Sequence, residues 1–219
     1  MIELCDVAVS YAGLPVLARV SLVVPVGGMI CLLGDSGCGK TTVLNVVAGL
    51  VRPDRGTVRV EARRPGYVFQ KDRLIPWRSV RQNVVLALLR DVDDLEEASR
   101  RADEWLERLG LSDAADRCPG ELSGGMRRRV NLARAFAVEP DLLLLDEPFA
   151  FLDDSMVGVV RDEILRIRRE RPVTLLAVSH VRAHIEPLSP EIIEIFETPV
   201  TINHPRDKGE TKHDSAHCD

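Results

Sequence analysis

The sequence predicts an α/β fold with a mostly parallel sheet core, an N-terminal antiparallel β subdomain and an inserted helical subdomain. In the first third, apolar residues alternate with a period of two at Val20, Leu22, Val24 and Val26, which is typical of antiparallel strands. In the last third, continuous apolar runs alternate with helical patterns, which indicates parallel strands covered by helices. Residues 71–137, which lie between, show helical periodicity.

Local signals predict the individual elements of the core. Residues 29–33 form an apolar run before a glycine-rich turn, and a helical pattern then runs from Lys40 to Leu50. Buried strands are expected at 142–145 and 173–178. The helix between these two strands has an apolar face formed by Met156, Val160, Ile164 and Ile167.

The inserted region carries two clear helix signals. Ser79 and Gln82 have the spacing of a capping box, and an apolar residue recurs every four positions behind them at Val80, Val84 and Leu88. The second helix is expected to end at Gly110, because glycine is a common C-terminal cap. Its apolar stripe consists of Leu95, Ala98, Ala102, Trp105, Leu106 and Leu109.

Length and composition favour a single domain at residues 1–202, followed by a polar tail at 203–219 that we expect to be disordered. The 29 basic and 34 acidic residues give a formal charge of -5, which argues against nucleic acid as a partner. No stretch reaches the about 20 apolar residues of a spanning helix, so any membrane role is expected to be peripheral. The absence of a signal-like leader, together with five scattered cysteines, favours a reducing cytoplasm.

Residues 34–41 match the phosphate-loop pattern G-x-x-x-x-G-K-[ST] between a predicted strand and a predicted helix. Glycines let the backbone N–H groups turn inward around an anion, and the helix N-terminus adds its positive end. Lys40 is expected to reach the β- and γ-phosphates, and Thr41 to offer its hydroxyl to Mg²⁺. The sequence therefore predicts a P-loop NTPase rather than a chance glycine turn.

Two further motifs follow along the chain. Asp146 and Glu147 end a buried strand at the edge where ligands of α/β sheets bind, where Asp146 suits a Mg²⁺ ligand and Glu147 a base or a water-orienting group. Alternatively, the two acids only begin a loop. A second glycine turn, Leu122-Ser123-Gly124-Gly125-Met126, opens a helix that Ser123 is expected to cap.

His180 follows the last buried strand. The order of these motifs and His180 along the chain resembles that in the nucleotide-binding subunit of ABC transporters. The resemblance extends over roughly residues 1–199. The resemblance implies that Tyr11 stacks on adenine, and that Gln70 touches Mg²⁺ and relays to a transmembrane partner. It implies that Ser123 and Gly125 bind the γ-phosphate held by the opposite subunit of a head-to-tail dimer. The loop Leu152-Asp153 would cross the dimer interface, and His180 would sense the γ-phosphate.

The complete set of expected roles is as follows. The catalytic residues are Glu147, His180 and Lys40, and the metal ligands are Thr41, Gln70 and Asp146. The nucleotide-binding residues are Tyr11, Gly34, Asp35, Ser36, Gly37, Cys38, Gly39, Lys40, Thr41, Thr42, Gln70, Ser123, Gly124 and Gly125. The resemblance implies ATP and Mg²⁺ as cofactors, a second copy and a membrane permease as partners, an extracytoplasmic solute-binding protein acting indirectly, and a position on the cytoplasmic face of the membrane.

The apolar run Arg73-Leu74-Ile75-Pro76-Trp77 predicts an exposed docking patch, unless Trp77 plugs the helical region instead. This run and Met126 resemble the corresponding positions of nitrate, sulfonate and taurine importers. The resemblance therefore implies an ATPase that energises import of a small solute of this kind.

Some features depart from the family pattern or leave alternatives open. Val181 follows His180 where aspartate is usual, and Phe151 stands where a small residue is usual, which keeps a non-catalytic ATP-dependent clamp as an alternative. A second alternative is a soluble ATPase that acts in DNA repair or translation. A kinase is a weaker alternative, because it would leave the Ser123 turn without a role. The basic run 127–129 is expected to be a solvated or interface face. A metal site in the tail is not expected, because the spacing of its four candidate ligands matches no known metal site. These candidates are His204, His213, His217 and Cys218.

Overall fold

The computed structural model describes residues 1–204, which form two sheets and six α-helices. The strands are β1 (Ile2–Tyr11), β2 (Leu14–Val24), β3 (Met29–Gly34), β4 (Arg55–Val60), β5 (Pro65–Val68), β6 (Leu142–Asp146), β7 (Thr174–Ser179), β8 (Glu191–Ile195) and β9 (Val200–His204). The helices are α1 (Lys40–Val47), α2 (Val80–Leu88), α3 (Leu95–Arg108), α4 (Gly124–Ala137), α5 (Asp154–Glu170) and α6 (Arg182–Ile185). Short 3₁₀ turns lie at Ser112–Ala114, Pro119–Glu121 and Glu186–Leu188.

The N-terminal sheet has the strand order β4-β1-β2-β9. β1 is antiparallel to both β2 and β4, as predicted, whereas β9 pairs with β2 in parallel. The alternation correctly places Val20, Leu22 and Val24 in the core, but Val26 lies beyond the end of β2 and is exposed.

Strand β9 corrects the predicted boundary of the tail. Asn203 and His204 belong to this strand and pair with Ser21 and Leu22 of β2, so the ordered chain continues past residue 202. The Nε2 atom of His204 lies 2.6 Å from the Oε1 atom of Glu191. The other three tail residues considered for a metal site, at 213, 217 and 218, lie outside the described residues, as does the rest of the tail.

The core sheet is entirely parallel, in the order β5-β6-β7-β3-β8. The central strands β3, β6 and β7 are buried almost throughout, which explains their continuous apolar runs. Because the strands are parallel, the segments that follow β3, β6 and β7 emerge at the same edge. The predicted fold class is confirmed.

Helices α2, α3 and α4 pack together beside the core sheet and bury the predicted apolar faces. The capping box of Ser79 and Gln82 is present, and Gly110 follows α3 with a φ of 63°. Leu95 is exposed because it is the first residue of α3, and α1 ends at Val47 instead of Leu50. Within residues 1–204, no helix has the length and apolar character needed to span a bilayer.

Two glycines offer a matched test of this packing. A Cβ atom at Gly66 would lie 2.4 Å from the carbonyl oxygen of Ala135 in α4, whereas a Cβ atom at Gly158 in α5 would have no atom within 4 Å. We expect Gly66→Ala to lower the free energy of unfolding by about 1–3 kcal/mol, because it pushes α4 away from the sheet. Gly158→Ala is expected to raise it by about 0.5–1 kcal/mol, because alanine favours a helix. Chemical denaturation measures both values, and similar stabilities of the two variants would contradict this packing.

Candidate functional site

The loop between β3 and α1 forms a concave surface of backbone amides. Gly39, at the start of α1, has a φ of 103° and makes no side-chain cap, so no side chain of the cap occupies the N-terminus of this helix. Lys40 is buried, and its Nζ donates to the carbonyl oxygens of Gly34 at 2.8 Å and Asp35 at 2.6 Å. The Nζ also lies 3.5 Å from the Sγ atom of the buried Cys38. The loop therefore combines a helix N-terminus with a fixed positive charge, a combination that suits phosphate.

A cleft of about 410 Å³ lies against this loop, and this volume is in the range of small-molecule sites. It brings together side chains from both sheets, since Tyr11 and Val16 come from the N-terminal sheet and Asp146 and Val178 from the core sheet. The other lining residues are Ser36, Gly37, Gly39, Lys40, Thr41, Thr42, Gln70 and Glu147. Most of the predicted binding residues thus share one cleft, whereas the Ser123 turn does not line it.

Asp146, the last residue of β6, is buried in this cleft. Neither carboxylate oxygen accepts a hydrogen bond of ordinary geometry from residues 1–204. Burial raises the pKa of this carboxyl, and the nearby Thr41 hydroxyl opposes the shift. A buried carboxylate without partners is costly, and a bound cation offsets that cost.

The residues around Asp146 fit Mg²⁺. Thr41 and Gln70 line the same cleft and offer a hydroxyl and an amide oxygen. Mg²⁺ is usually bound through one or two carboxylates together with water and phosphate, and not by a cage made of protein alone. Within residues 1–204, no cluster of three or more His, Cys, Asp or Glu side chains could hold a metal.

Glu147 and His180 form a pair beside this cleft. The Nδ1 atom of His180 lies 2.9 Å from the Oε1 atom of Glu147, and the histidine is half-exposed while the glutamate is mostly buried. Glu147 adopts a φ of 51°, and its N–H donates to the carbonyl oxygen of Val178 at 3.0 Å. Although Val181 replaces the usual aspartate, the contact between His180 and Glu147 is present.

The Ser123 turn opens α4 as predicted. The Oγ atom of Ser123 accepts a hydrogen bond from the Met126 N–H at 3.2 Å. A Cβ atom at Gly125 would lie 2.8 Å from the carbonyl oxygen of Phe151, and one at Gly124 would lie 3.7 Å from its ring. Glycine therefore lets this turn pack closely on the loop that follows Glu147, where the Phe151 side chain is 78% exposed.

The segment between β5 and α2 carries the predicted docking patch. Strand β5 ends at Val68, so Gln70 lies two residues beyond the strand. Trp77 is 76% exposed, which shows that the alternative of a plug in the helical region was wrong. The buried Asn83 of α2 fixes the segment, because its amide accepts from the Ile75 N–H at 2.7 Å and donates to the Arg78 carbonyl at 3.1 Å.

Arg128 corrects the prediction that the basic run is a solvated or interface face. This side chain is 1% exposed and donates to the carbonyl oxygens of Phe69, Asp146 and Glu147. Burial lowers the pKa of its guanidinium, whereas Asp72, at 3.2 Å, raises it.

Two more polar residues of α4 contact the same segment. Asn131 donates to the carbonyl oxygen of Phe69 at 2.9 Å, and Arg134 donates to those of Asp72 and Arg73, both at 3.0 Å. Together with Arg128 they recur every three residues, a spacing that places them on one face of the helix. This three-residue spacing is the feature of the sequence that could have predicted a polar contact face on α4.

Comparisons with known proteins identify the family. A family model described as ABC transporter matches residues 17–150, which is more than half of the chain. The chain belongs to the ABC transporter family. The resemblance found in the sequence is therefore confirmed.

Relatives in this family include import proteins. The taurine import ATP-binding protein TauB of Mesorhizobium japonicum is 46% identical over 184 residues, which cover 80% of this chain and 71% of TauB. The nitrate import ATP-binding protein NrtC of Synechococcus elongatus is 44% identical over 173 residues, which cover 75% of this chain and 26% of NrtC. The chain thus spans about a quarter of the length of NrtC.

Solved ABC cassettes share the fold. The dimeric structure of the cassette MJ0796 is 29% identical, with a TM-score of 0.83 over 90% of this chain and 94% of that one. A dimeric post-hydrolysis state of the same cassette, bound to ADP and Pi, gives a TM-score of 0.84 at the same identity, over 89% of this chain and 94% of that one.

The raised pKa of Asp146 predicts a pH-dependent effect on stability. An acid whose pKa rises on folding is harder to ionise in the folded state, so its ionised form destabilises the protein above the unfolded pKa of about 3.9. We therefore expect Asp146→Asn to raise the melting temperature of the metal-free protein at pH 7, with a gain that shrinks as the pH falls toward that value. Thermal denaturation in a chelator measures this, with the exposed Asp162→Asn as control. A gain of the same size at every pH would refute the explanation.

Proposed function

We propose that this protein is the ATP-binding and ATP-hydrolysing subunit of an ABC importer for a small solute. The observation that carries the proposal is the single cleft in which the phosphate loop, the unpartnered carboxylate of Asp146 and Glu147 meet. A cleft of this kind offers a phosphate site, a cation site and a general base within one volume. Family membership makes ATP the nucleotide that we propose.

In this proposal, each end of ATP has its own contacts. The half-exposed ring of Tyr11 stacks on adenine, and the phosphates lie on the amides of residues 34–42. Lys40 stabilises the β- and γ-phosphates. Thr41, Gln70 and Asp146 would hold Mg²⁺, which when bound neutralises charge on the phosphate oxygens.

Glu147 is the proposed base. Its carboxylate accepts a proton from the water that attacks the γ-phosphate, while His180 orients that carboxylate through the 2.9 Å contact. The bond between the β–γ bridging oxygen and the γ-phosphorus breaks, and ADP and phosphate result. Lys40 and the amides of the loop stabilise the charge that develops on the transferred group.

The proposed active assembly is a head-to-tail pair of copies. Ser123, Gly124 and Gly125 do not line their own cleft, and they lie at a helix N-terminus whose capping residue, Ser123, is exposed, an end that suits an anion. A second copy in reverse orientation would bring this turn onto the γ-phosphate. The dimeric structures of the MJ0796 cassette support an assembly of two copies.

The proposed partners place the protein at the cytoplasmic face of the membrane. We propose that the exposed segment from Gln70 to Trp77 docks on a permease, which receives solute from an extracytoplasmic binding protein. The relatives are named for import of nitrate, bicarbonate and taurine, so the proposed solute is a small molecule of this class. These names favour an importer over a soluble ATPase of DNA repair or translation.

Removing the proposed base tests hydrolysis. We expect Glu147→Gln to lower kcat for ATP at least about 100-fold, because no group then accepts the proton, while the Kd for ATP stays within about twofold. Phosphate release and nucleotide titration measure the two quantities. Glu104→Gln, on the exposed surface of α3, is the control and should behave as wild type. Unchanged turnover in Glu147→Gln would exclude this function.

The hydrolysis-blocked variant also tests the assembly. With ATP, Glu147→Gln should elute at twice the mass of the monomer in size-exclusion chromatography. Adding Ser123→Asp should abolish this dimer, because aspartate caps a helix as well as serine does but repels the partner's phosphate. A dimer that persists with Ser123→Asp would show that Ser123 does not face the nucleotide.

Trp77 tests the proposed docking patch. Because buried tryptophans dominate protein interfaces, Trp77→Ala is expected to weaken permease binding by about 2 kcal/mol, roughly 30-fold, without changing ATP binding by the isolated subunit. The readout is the amount of subunit retained in the detergent-purified permease complex. Leu95→Ala, which also removes an exposed apolar side chain, is the control and should be retained normally. Equal retention of both variants would contradict the patch.

A further inference from the structure

We infer that Arg128 is a positioning residue that makes the placement of Glu147 depend on the orientation of helix α4. The inference rests on the proposed function, because it takes Glu147 as the base. Arg128 lies five residues after Ser123 on the same helix. It therefore connects the turn that is proposed to face a second copy with the residue that is proposed to activate water.

The guanidinium of Arg128 contacts both sides of the cleft. Its Nη2 atom donates to the carbonyl oxygens of Asp146 and Glu147, at the end of β6. Its Nη1 atom donates to the carbonyl oxygen of Phe69, next to Gln70, and lies 3.2 Å from the Oδ1 atom of Asp72. One planar group thus spans the two acidic residues and the segment that carries Gln70.

These contacts constrain a backbone that is not in a relaxed conformation. Glu147 has a φ of 51°, a region that residues other than glycine occupy only when their surroundings hold them there. The peptide groups of Glu147 make three bonds: its N–H donates to Val178, and its carbonyl accepts from Arg128 and from the Ala150 N–H at 3.1 Å. Arg128 is the only one of the three partners that lies on α4, so loss of its bond removes the link to that helix and lets the carboxylate shift relative to the cleft.

The geometry also explains why arginine serves this role. Its fork of donors is rigid and planar, whereas the ammonium of lysine is a single flexible point. A buried arginine can bond several carbonyl oxygens at fixed relative positions, so a rotation of α4 is passed to all of them. Lysine at this position would keep the charge but not the geometry.

The neighbouring Arg129 provides a matched control. It lies one residue further along α4 and donates to the carbonyl oxygens of Leu109 and Gly110, inside the helical region. Its loss removes two bonds from a partly buried arginine without touching the cleft. Arg128→Gln and Arg129→Gln therefore separate a positioning role from a general loss of stability.

The test is steady-state ATP hydrolysis by the full-length protein, with melting temperatures measured in parallel. We expect Arg128→Gln and Arg128→Lys to lower kcat at least tenfold, with KM for ATP within twofold of wild type. Arg129→Gln should keep kcat within twofold. Equal kcat losses in Arg128→Gln and Arg129→Gln, an unchanged kcat in Arg128→Gln, or full rescue by lysine would overturn the inference.

Asp72→Asn covers the case in which Arg128→Gln does not fold. This change removes the ion pair but leaves the arginine in place, so it should lower kcat about threefold or more without raising KM. A wild-type kcat in Asp72→Asn, when Arg128→Gln is unfolded, would count against a positioning role. If the wild-type protein itself hydrolyses no ATP, the proposed function fails, and the assignment of Arg128 fails with it.

Discussion

The parallel pairing of β3, β6 and β7 is the constraint on which the site depends. Leu33 lies opposite Ser179, and Val178 lies opposite Asp146, so the three strands end at the same level. The phosphate loop, Asp146 and His180 follow directly from those ends. Because the strands are buried on both faces, their apolar contacts offset the free-energy cost of burying Lys40 and the unpartnered Asp146.

The phosphate loop also depends on the second sheet. A Cβ atom at Gly39 would lie 3.0 Å from methyl groups of both Val16 in β2 and Val200 in β9. Glycine is therefore required at this position for space as well as for its φ of 103°. The pairing of β9 with β2 closes this side of the loop, so a strand near the end of the described chain supports a motif near its start.

The sequence predicts features whose causes are local. The cap at Ser79, the turn after α3 at Gly110 and the cap at Ser123 depend on residues a few positions apart, and all three are present. The order of the motifs along the chain predicts the family and most of the residues that line the cleft. Leu95 was misjudged because a helical stripe alone does not show which end of it remains outside the core.

The burial of Arg128 could not be predicted from local features of the sequence. Its burial depends on Phe69, Asp72 and the pair Asp146 and Glu147, which lie far from it in the chain. Three consecutive arginines look the same in the sequence whether they face water or the interior. Strand β9 was not predicted for a similar reason, because its partner β2 lies almost the whole described chain away.

The contacts of α4 link two surfaces that are otherwise separate. Arg128, Asn131 and Arg134 all donate to carbonyl oxygens of residues 69–73, so this segment follows any movement of the helix. Ser123 lies at one end of the connection, and the exposed Trp77 lies just beyond the other. Backbone carbonyls do not depend on the identity of the side chains that carry them, and they cannot change rotamer. A connection that ends on carbonyls therefore transmits position more directly than one between two flexible side chains, as the proposed coupling of a second copy to a permease would require.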